Sequence, residues 1–124
     1  MIGYVTVGVR DMARAAGFYD ALFAPLGAKR IMEIGDRLIL WGVARGQPAF
    51  GIVTPYDQQA PHRGNGNMTA LLAGSRENVD KLHALALQLG GSDEGAPGDR
   101  GFGFYGGYFR DLDGNKLNFF HMGA

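Results

Sequence analysis

One pattern occurs twice in this chain, and that recurrence limits the folds open to it. Residues 2–9 alternate, with Val5, Val7 and Val9 on one face and Tyr4, Thr6 and Gly8 on the other, as a strand requires. Asp11 follows as a helix N-cap candidate. Met12, Ala15, Tyr19, Leu22 and Phe23 then recur at helical spacing, and Pro25 and Gly27 close the segment. From Met68 the pattern returns. Residues 68–74 read as a strand, Ser75 as an N-cap, and Val79, Leu82, Leu85, Ala86 and Leu89 as an apolar helical stripe ended by Gly90-Gly91. At Ser75 the capping box is incomplete, because Asn78 stands where Glu or Gln would complete it. Asp11 and Ser75 lie 64 residues apart, Leu26-Gly27 and Leu89-Gly90 63 apart. This spacing predicts two copies of one βαβββ unit, with helices over 11–24 and 75–89.

The intervening segments fit that plan. Residues 29–34 and 37–44 read as strands joined by a Gly35-Asp36 turn, and 49–54 as a further strand. Pro55 to Gly66 is polar and rich in Gly and Pro and reads as a linker, so the modules span about 1–57 and 66–124. Gly95 to Arg100 reads as an extra loop of the second module. Tyr105 to Phe120 is a hairpin: two aromatic strands around Asp111-Leu112-Asp113-Gly114-Asn115, whose Asp-Gly step supplies the positive φ of a tight turn. The 21 glycines of the chain suit bent strands and bulges.

These residues resemble the vicinal oxygen chelate superfamily, which includes glyoxalase I, bleomycin-resistance proteins, fosfomycin-modifying enzymes and extradiol dioxygenases. The resemblance is carried by the run from Asp11 to Gly27, Gly64-Asn65-Gly66 before the second module, residues 75–80, Gly95 to Arg100, and the D-x-D-G-N hairpin. It implies an α+β fold in which two βαβββ modules make a curved, barrel-like eight-stranded sheet around a cup. It also implies a homodimer, as is usual for small members.

In metal-dependent members four His or Glu side chains of the two modules bind the metal. The matching positions here are Tyr4, Gly51 or Ile52, Met68 and Asn118. Tyr is an uncommon ligand, Met suits soft copper, and Asn is weak without carboxylate company. No metal or other cofactor is expected. His62, His83 and His121 do not rebuild a site, because no two share an i, i+4 or alternate-strand relation.

By alternation Tyr4, Thr6, Met68, Ala70, Asn118 and Phe120 are expected to face the cup, with Trp41, Phe50 and Tyr108 as candidates to join them. Large apolar residues with a few hydroxyls and one amide make a small-molecule pocket. The same side chains could instead fill it. Tyr108 could serve as acid or donor, or as a wall residue. Arg100 could hold an anionic ligand, or be a solvated loop residue.

The 12 basic and 12 acidic residues cancel and form no basic stripe, which speaks against a nucleic-acid or membrane partner. The absence of cysteine excludes thiol catalysis, disulfides and zinc-cysteine sites. No Ser-His-Asp set, phosphate-cradling loop or dinucleotide fingerprint is present. The expected function is a cytoplasmic, metal-free protein that binds an aromatic or amphipathic small molecule. The alternatives are a metal-dependent lyase or dioxygenase of the superfamily, and a metal-free enzyme using Tyr4 or Tyr108.

Overall fold

The computed structural model describes residues 1–123 of the chain. The chain divides into two compact units, one from Met1 to Arg63 and one from Gly64 onward. Each carries one helix and four strands in the order βαβββ.

In the first unit, β1 (Tyr4–Gly8) leads into α1 (Met12–Phe23), followed by β2 (Lys29–Ile34), β3 (Leu38–Gly42) and β4 (Ala49–Val53). The sheet order is β1-β4-β3-β2, with β1 parallel to β4 and the other pairs antiparallel. Asp11 caps α1 as its residue type predicts, its Oδ1 accepting the Arg14 N–H at 3.1 Å. A short 3₁₀ turn, Ala24–Leu26, ends in left-handed Gly27. One face of the sheet packs under α1. Tyr19, Leu22 and Phe23 of the helix, and Ile39, Trp41, Phe50 and Ile52 of the sheet, are all buried. Each such side chain contributes about 1.5–3 kcal/mol of transfer free energy.

The second unit repeats the plan with β5 (Thr69–Leu72), α2 (Arg76–Gln88), β6 (Ser92–Asp99), β7 (Phe104–Arg110) and β8 (Lys116–Met122). The sheet order is β5-β8-β7-β6, with β5 parallel to β8. Ser75 Oγ accepts the Asn78 N–H at 3.1 Å, while the Asn78 amide donates to the Ala73 carbonyl at 2.9 Å. Asn78 therefore ties the helix to the end of β5 where a Glu would have completed a capping box. Val79, Leu82 and Ala86 pack on Phe109, Leu117 and Phe119, and the rings of Phe109 and Phe119 lie stacked at 5.6 Å. His83 belongs to this core. It is buried, and its Nε2 lies 3.1 Å from Asp93 Oδ1 and 3.0 Å from the Tyr108 carbonyl. A proton on Nε2 serves both acceptors, so this histidine is structural.

The eight strands expected from the sequence are all present, divided evenly between two four-stranded sheets. Gly95 to Asp99 is a correction: it is the outer part of β6 and not a loop. Its pairing with β7 shifts register twice, between Asp93 and Gly95 and between Gly95 and Gly98. An edge strand tolerates Pro97 and such bulges because its outer N–H groups need no ladder partner. Among the described residues no helix is long and apolar enough to cross a membrane.

Candidate functional site

The β7–β8 hairpin places the second unit's candidates. Asp111 organises its turn: Oδ1 accepts the N–H groups of Asp113 and Asn115 at 2.9 Å each, and Oδ2 accepts the Asn115 side-chain amide at 3.0 Å. Gly114, at φ 86°, takes the conformation other residues avoid. The turn sets the register, and the register pairs Tyr108 with Asn118. Strand alternation then puts Leu117 and Phe119 beneath α2, and Tyr108, Asn118 and Phe120 on the opposite face with Ala70 of β5.

That face combines aromatic rings with positive charge. Phe104 and Phe120 stack at 5.1 Å with only 6° between their planes. The Arg100 guanidinium stands 5.3 Å from the Tyr108 ring centre and the Lys116 ammonium 5.5 Å from it. Arg110 is already paired with Glu94. Asn118 is fully buried, yet neither its amide nitrogen nor its carbonyl oxygen has a hydrogen-bond partner among the described residues. An unpaired buried amide costs about 1–3 kcal/mol, so native proteins rarely leave one without a reason. Thus Arg100, Tyr108, Asn118 and Phe120 come together, and Lys116 and Phe104 join them unforeseen. Their parity with Tyr108 and Phe120 was the sequence signal that could have found them.

The first unit places Tyr4 and Thr6 on its helix-free face, where they line an open cleft. Trp41 and Phe50 are not there. They pair directly with each other across β3 and β4 and face α1. The Tyr19 ring centre lies 4.9 Å from that of Phe50 and 5.7 Å from that of Trp41, and both are buried. Their expected place in the cup is therefore corrected: they share parity with Ile39 and Ile52, which the helix covers. Met68 precedes β5 and is exposed.

The family model for the glyoxalase/bleomycin resistance protein/dioxygenase superfamily matches residues 1–119. The chain belongs to this superfamily. A glyoxalase/bleomycin resistance protein from Albidiferax ferrireducens T118 is similar to this superfamily member at 35% identity, with 98% of each chain covered and a TM-score of 0.85. A hypothetical protein, SA1046, from S. aureus is similar at 27% identity over 97% of this chain and 91% of its own, with a TM-score of 0.74. A lactoylglutathione lyase from Agrobacterium tumefaciens, at 19% identity over 97% of this chain and 92% of its own and a TM-score of 0.70, shares the fold. No curated protein matches the chain significantly.

The side chains at the superfamily's metal positions do not suit a divalent cation. Gly51 cannot be exchanged for a carboxylate without rearrangement, because a Cβ there would meet Leu40 Cδ2 at 2.3 Å and the Ile39 carbonyl at 3.0 Å. Its neighbour Ile52 is fully buried with the helix-facing core. Asn118 brings a neutral amide, with no carboxylate of its own face next to it in the ladder: its register partners are Tyr108 and Ala70. Among the described residues no group of three or more His, Asp or Glu side chains is arranged to hold a metal ion. Charge neutralisation, which a hard dication needs, is missing from the donor set.

Proposed function

We propose that this superfamily member is a metal-free protein that binds a small, partly aromatic molecule on the helix-free face of its second sheet. The observation that carries this reading is Asn118. It stands where metal-binding relatives place a glutamate, and its buried amide has one donor and one acceptor group without partners among the described residues. A carboxylate there would suit a cation, whereas an amide suits a neutral polar group of a ligand. Tyr108 and the Phe104–Phe120 stack offer aromatic surface beside it.

The test is a thermal-shift screen of aromatic and heteroaromatic compounds, followed by calorimetric titration of the best binder into wild type, Tyr108→Ala and Asn118→Ala. Each variant is expected to weaken binding by about 1–3 kcal/mol, the range for losing a large buried contact or a buried hydrogen-bond partner. Unchanged affinity in both variants sinks the assignment. Incubation with the ligand and product analysis separates a binder from a metal-free enzyme. We also read the protein as a cytoplasmic homodimer. The exposed apolar side chains of Met32 and Ile34 on the first sheet, and of Leu72 and Met122 on the second, give it reason to pair. A monomer at micromolar concentration in sedimentation would contradict that.

A further inference from the structure

Two steps in the chain join an Asn or Asp to a following Gly, Asn65-Gly66 and Asp113-Gly114, and the fold treats them in opposite ways. In such a step the backbone nitrogen of the glycine can attack the side-chain carbonyl carbon before it. Glycine brings no Cβ to hinder the approach and turns freely into the conformation required. The other four asparagines, Asn67, Asn78, Asn115 and Asn118, are each followed by a residue with a side chain.

Asp113-Gly114 is held. The Gly114 N–H, whose nitrogen would be the nucleophile, donates to the Asp111 carbonyl at 3.1 Å, and the Asp113 N–H donates to Asp111 Oδ1 at 2.9 Å. Both residues are half-buried in the β7–β8 turn. Ring closure there has to break a turn hydrogen bond and rotate a peptide plane on which the hairpin depends.

Asn65-Gly66 is presented. It lies outside any helix or strand, just ahead of β5, and both residues are exposed. Gly66 has φ 91°, and a Cβ built on it would meet nothing within 4 Å, so this peptide stands in open space. Among the described residues neither the Gly66 N–H nor the Asn65 side chain has a hydrogen-bond partner. The flanking residues are close together: a Cβ on Gly64 would meet Asn67 Nδ2 at 2.3 Å. The loop is thus closed at Gly64 and Asn67 and unrestrained at the step between them.

We propose that Asn65 is a site of spontaneous deamidation, and that it makes the folded protein a substrate for enzymes that methylate isoaspartate. The Gly66 nitrogen forms a bond to Asn65 Cγ as the bond from Cγ to Nδ2 breaks. Nδ2 leaves as ammonia, taking up the proton that the Gly66 nitrogen gives up. Water then opens the resulting succinimide at one of its two carbonyls. Opening at one leaves aspartate; opening at the other leaves isoaspartate, whose backbone runs through Cβ and Cγ. Water enters, ammonia leaves, and nothing is oxidised or reduced. Either product adds a negative charge to a loop that had none at this position, and isoaspartate lengthens the backbone by a methylene just before β5.

The experiment is prolonged incubation of the full chain in mildly alkaline buffer, folded and in urea, followed by tryptic peptide mapping and labelling with an isoaspartate methyltransferase. Cleavage after Arg63, Arg76, Arg110 and Lys116 separates the two steps into peptides 64–76 and 111–116. In the folded protein peptide 64–76 is expected to gain about one dalton, the exchange of an amide for an acid, and to carry the methyl label at position 65. Peptide 111–116 should stay unlabelled until urea unfolds the turn. Asn65→Gln should remove the label from peptide 64–76, because attack on the longer side chain closes a larger ring; the position is exposed, so the unfolding midpoint should stay near that of wild type. Three results would each overturn the proposal. They are a peptide 64–76 that keeps its mass in the folded chain while changing in urea, labelling of Asn67 in place of Asn65, and folded-state labelling at Asp113 as fast as at Asn65.

Discussion

The indole N–H of Trp41 donates to Asp20 Oδ1 at 2.9 Å, on the side of the first sheet that α1 covers. Asp20 in turn receives Arg30 Nε at 3.0 Å and Nη2 at 2.7 Å, so one carboxylate joins the helix to two strands. Trp41 is therefore a core residue whose single polar atom is satisfied, and its removal should be felt in folding. Trp41→Ala is expected to destabilise the protein by about 3–5 kcal/mol, as for other large core truncations. Urea unfolding measures it, and a loss below about 1 kcal/mol would contradict this packing.

The same carboxylate gives a pH dependence. The hydrogen bond from Arg30 holds the Asp20 carboxyl below its ordinary value of 3.8, against an opposing effect of burial. A depressed folded value means that the unfolded chain binds the proton first as pH falls. The stabilisation is thus present above pH 3.8 and is lost as pH falls through the lower folded value. Asp93, held low by the Gly95 N–H and then by His83, acts in the same direction. Unfolding midpoints measured from pH 6 downward, on the order of half a pH unit per step, should fall more steeply for wild type than for Asp20→Asn. Parallel curves would refute the assignment to Asp20.

A Cβ at Gly51 would meet Leu40 Cδ2 at 2.3 Å and the Ile39 carbonyl oxygen at 3.0 Å, so a side chain fits there only if Leu40 shifts. Gly51→Ala should destabilise by about 1–3 kcal/mol through overpacking. In the double variant Leu40→Ala/Gly51→Ala the two costs should not add, because shortening Leu40 makes room for the new methyl group. Simple additivity in a denaturant series would show that the strain lies elsewhere.

The donor set at Tyr4, Met68 and Asn118 predicts a protein without stoichiometric divalent metal. Elemental analysis after dialysis is expected to find well under one zinc, nickel, manganese or iron per chain. About one equivalent retained would refute it. The triple variant Tyr4→His/Met68→His/Asn118→Glu should recover only weak binding, because the residues that would orient such ligands are absent too.

Asp111 accepts three hydrogen bonds inside the hairpin turn while almost fully buried. Asp111→Ala leaves these donors without their acceptor and is expected to cost about 2–4 kcal/mol. It should also loosen the Tyr108–Asn118 register, which weakens any ligand on that face. Hydrogen exchange across β7 and β8 would report the loosening, and unchanged protection would argue against it.

Local chemistry alone determined the repeated βαβββ order, both helices, their Asp11 and Ser75 caps and the Asp113-Gly114 turn. Each depends on residues within a few positions of one another: periodicity, an N-cap oxygen, a glycine with positive φ. Parity likewise put Tyr4, Thr6, Tyr108, Asn118 and Phe120 on helix-free faces, because within a strand it is a property of the sequence. Which face of a strand the helix will cover is a long-range matter. Trp41 and Phe50 read equally well as pocket lining until β3 and β4 are paired and Tyr19 is laid over them. Gly95 to Asp99 looked like a loop because Gly and Pro disfavour strands locally; its place at a sheet edge, beside β7, removes that penalty. That the Asn118 amide has no partner among the described residues was decided by tertiary structure alone. A side chain's lack of a partner depends on every residue that could have reached it, and those neighbours come from distant parts of the chain.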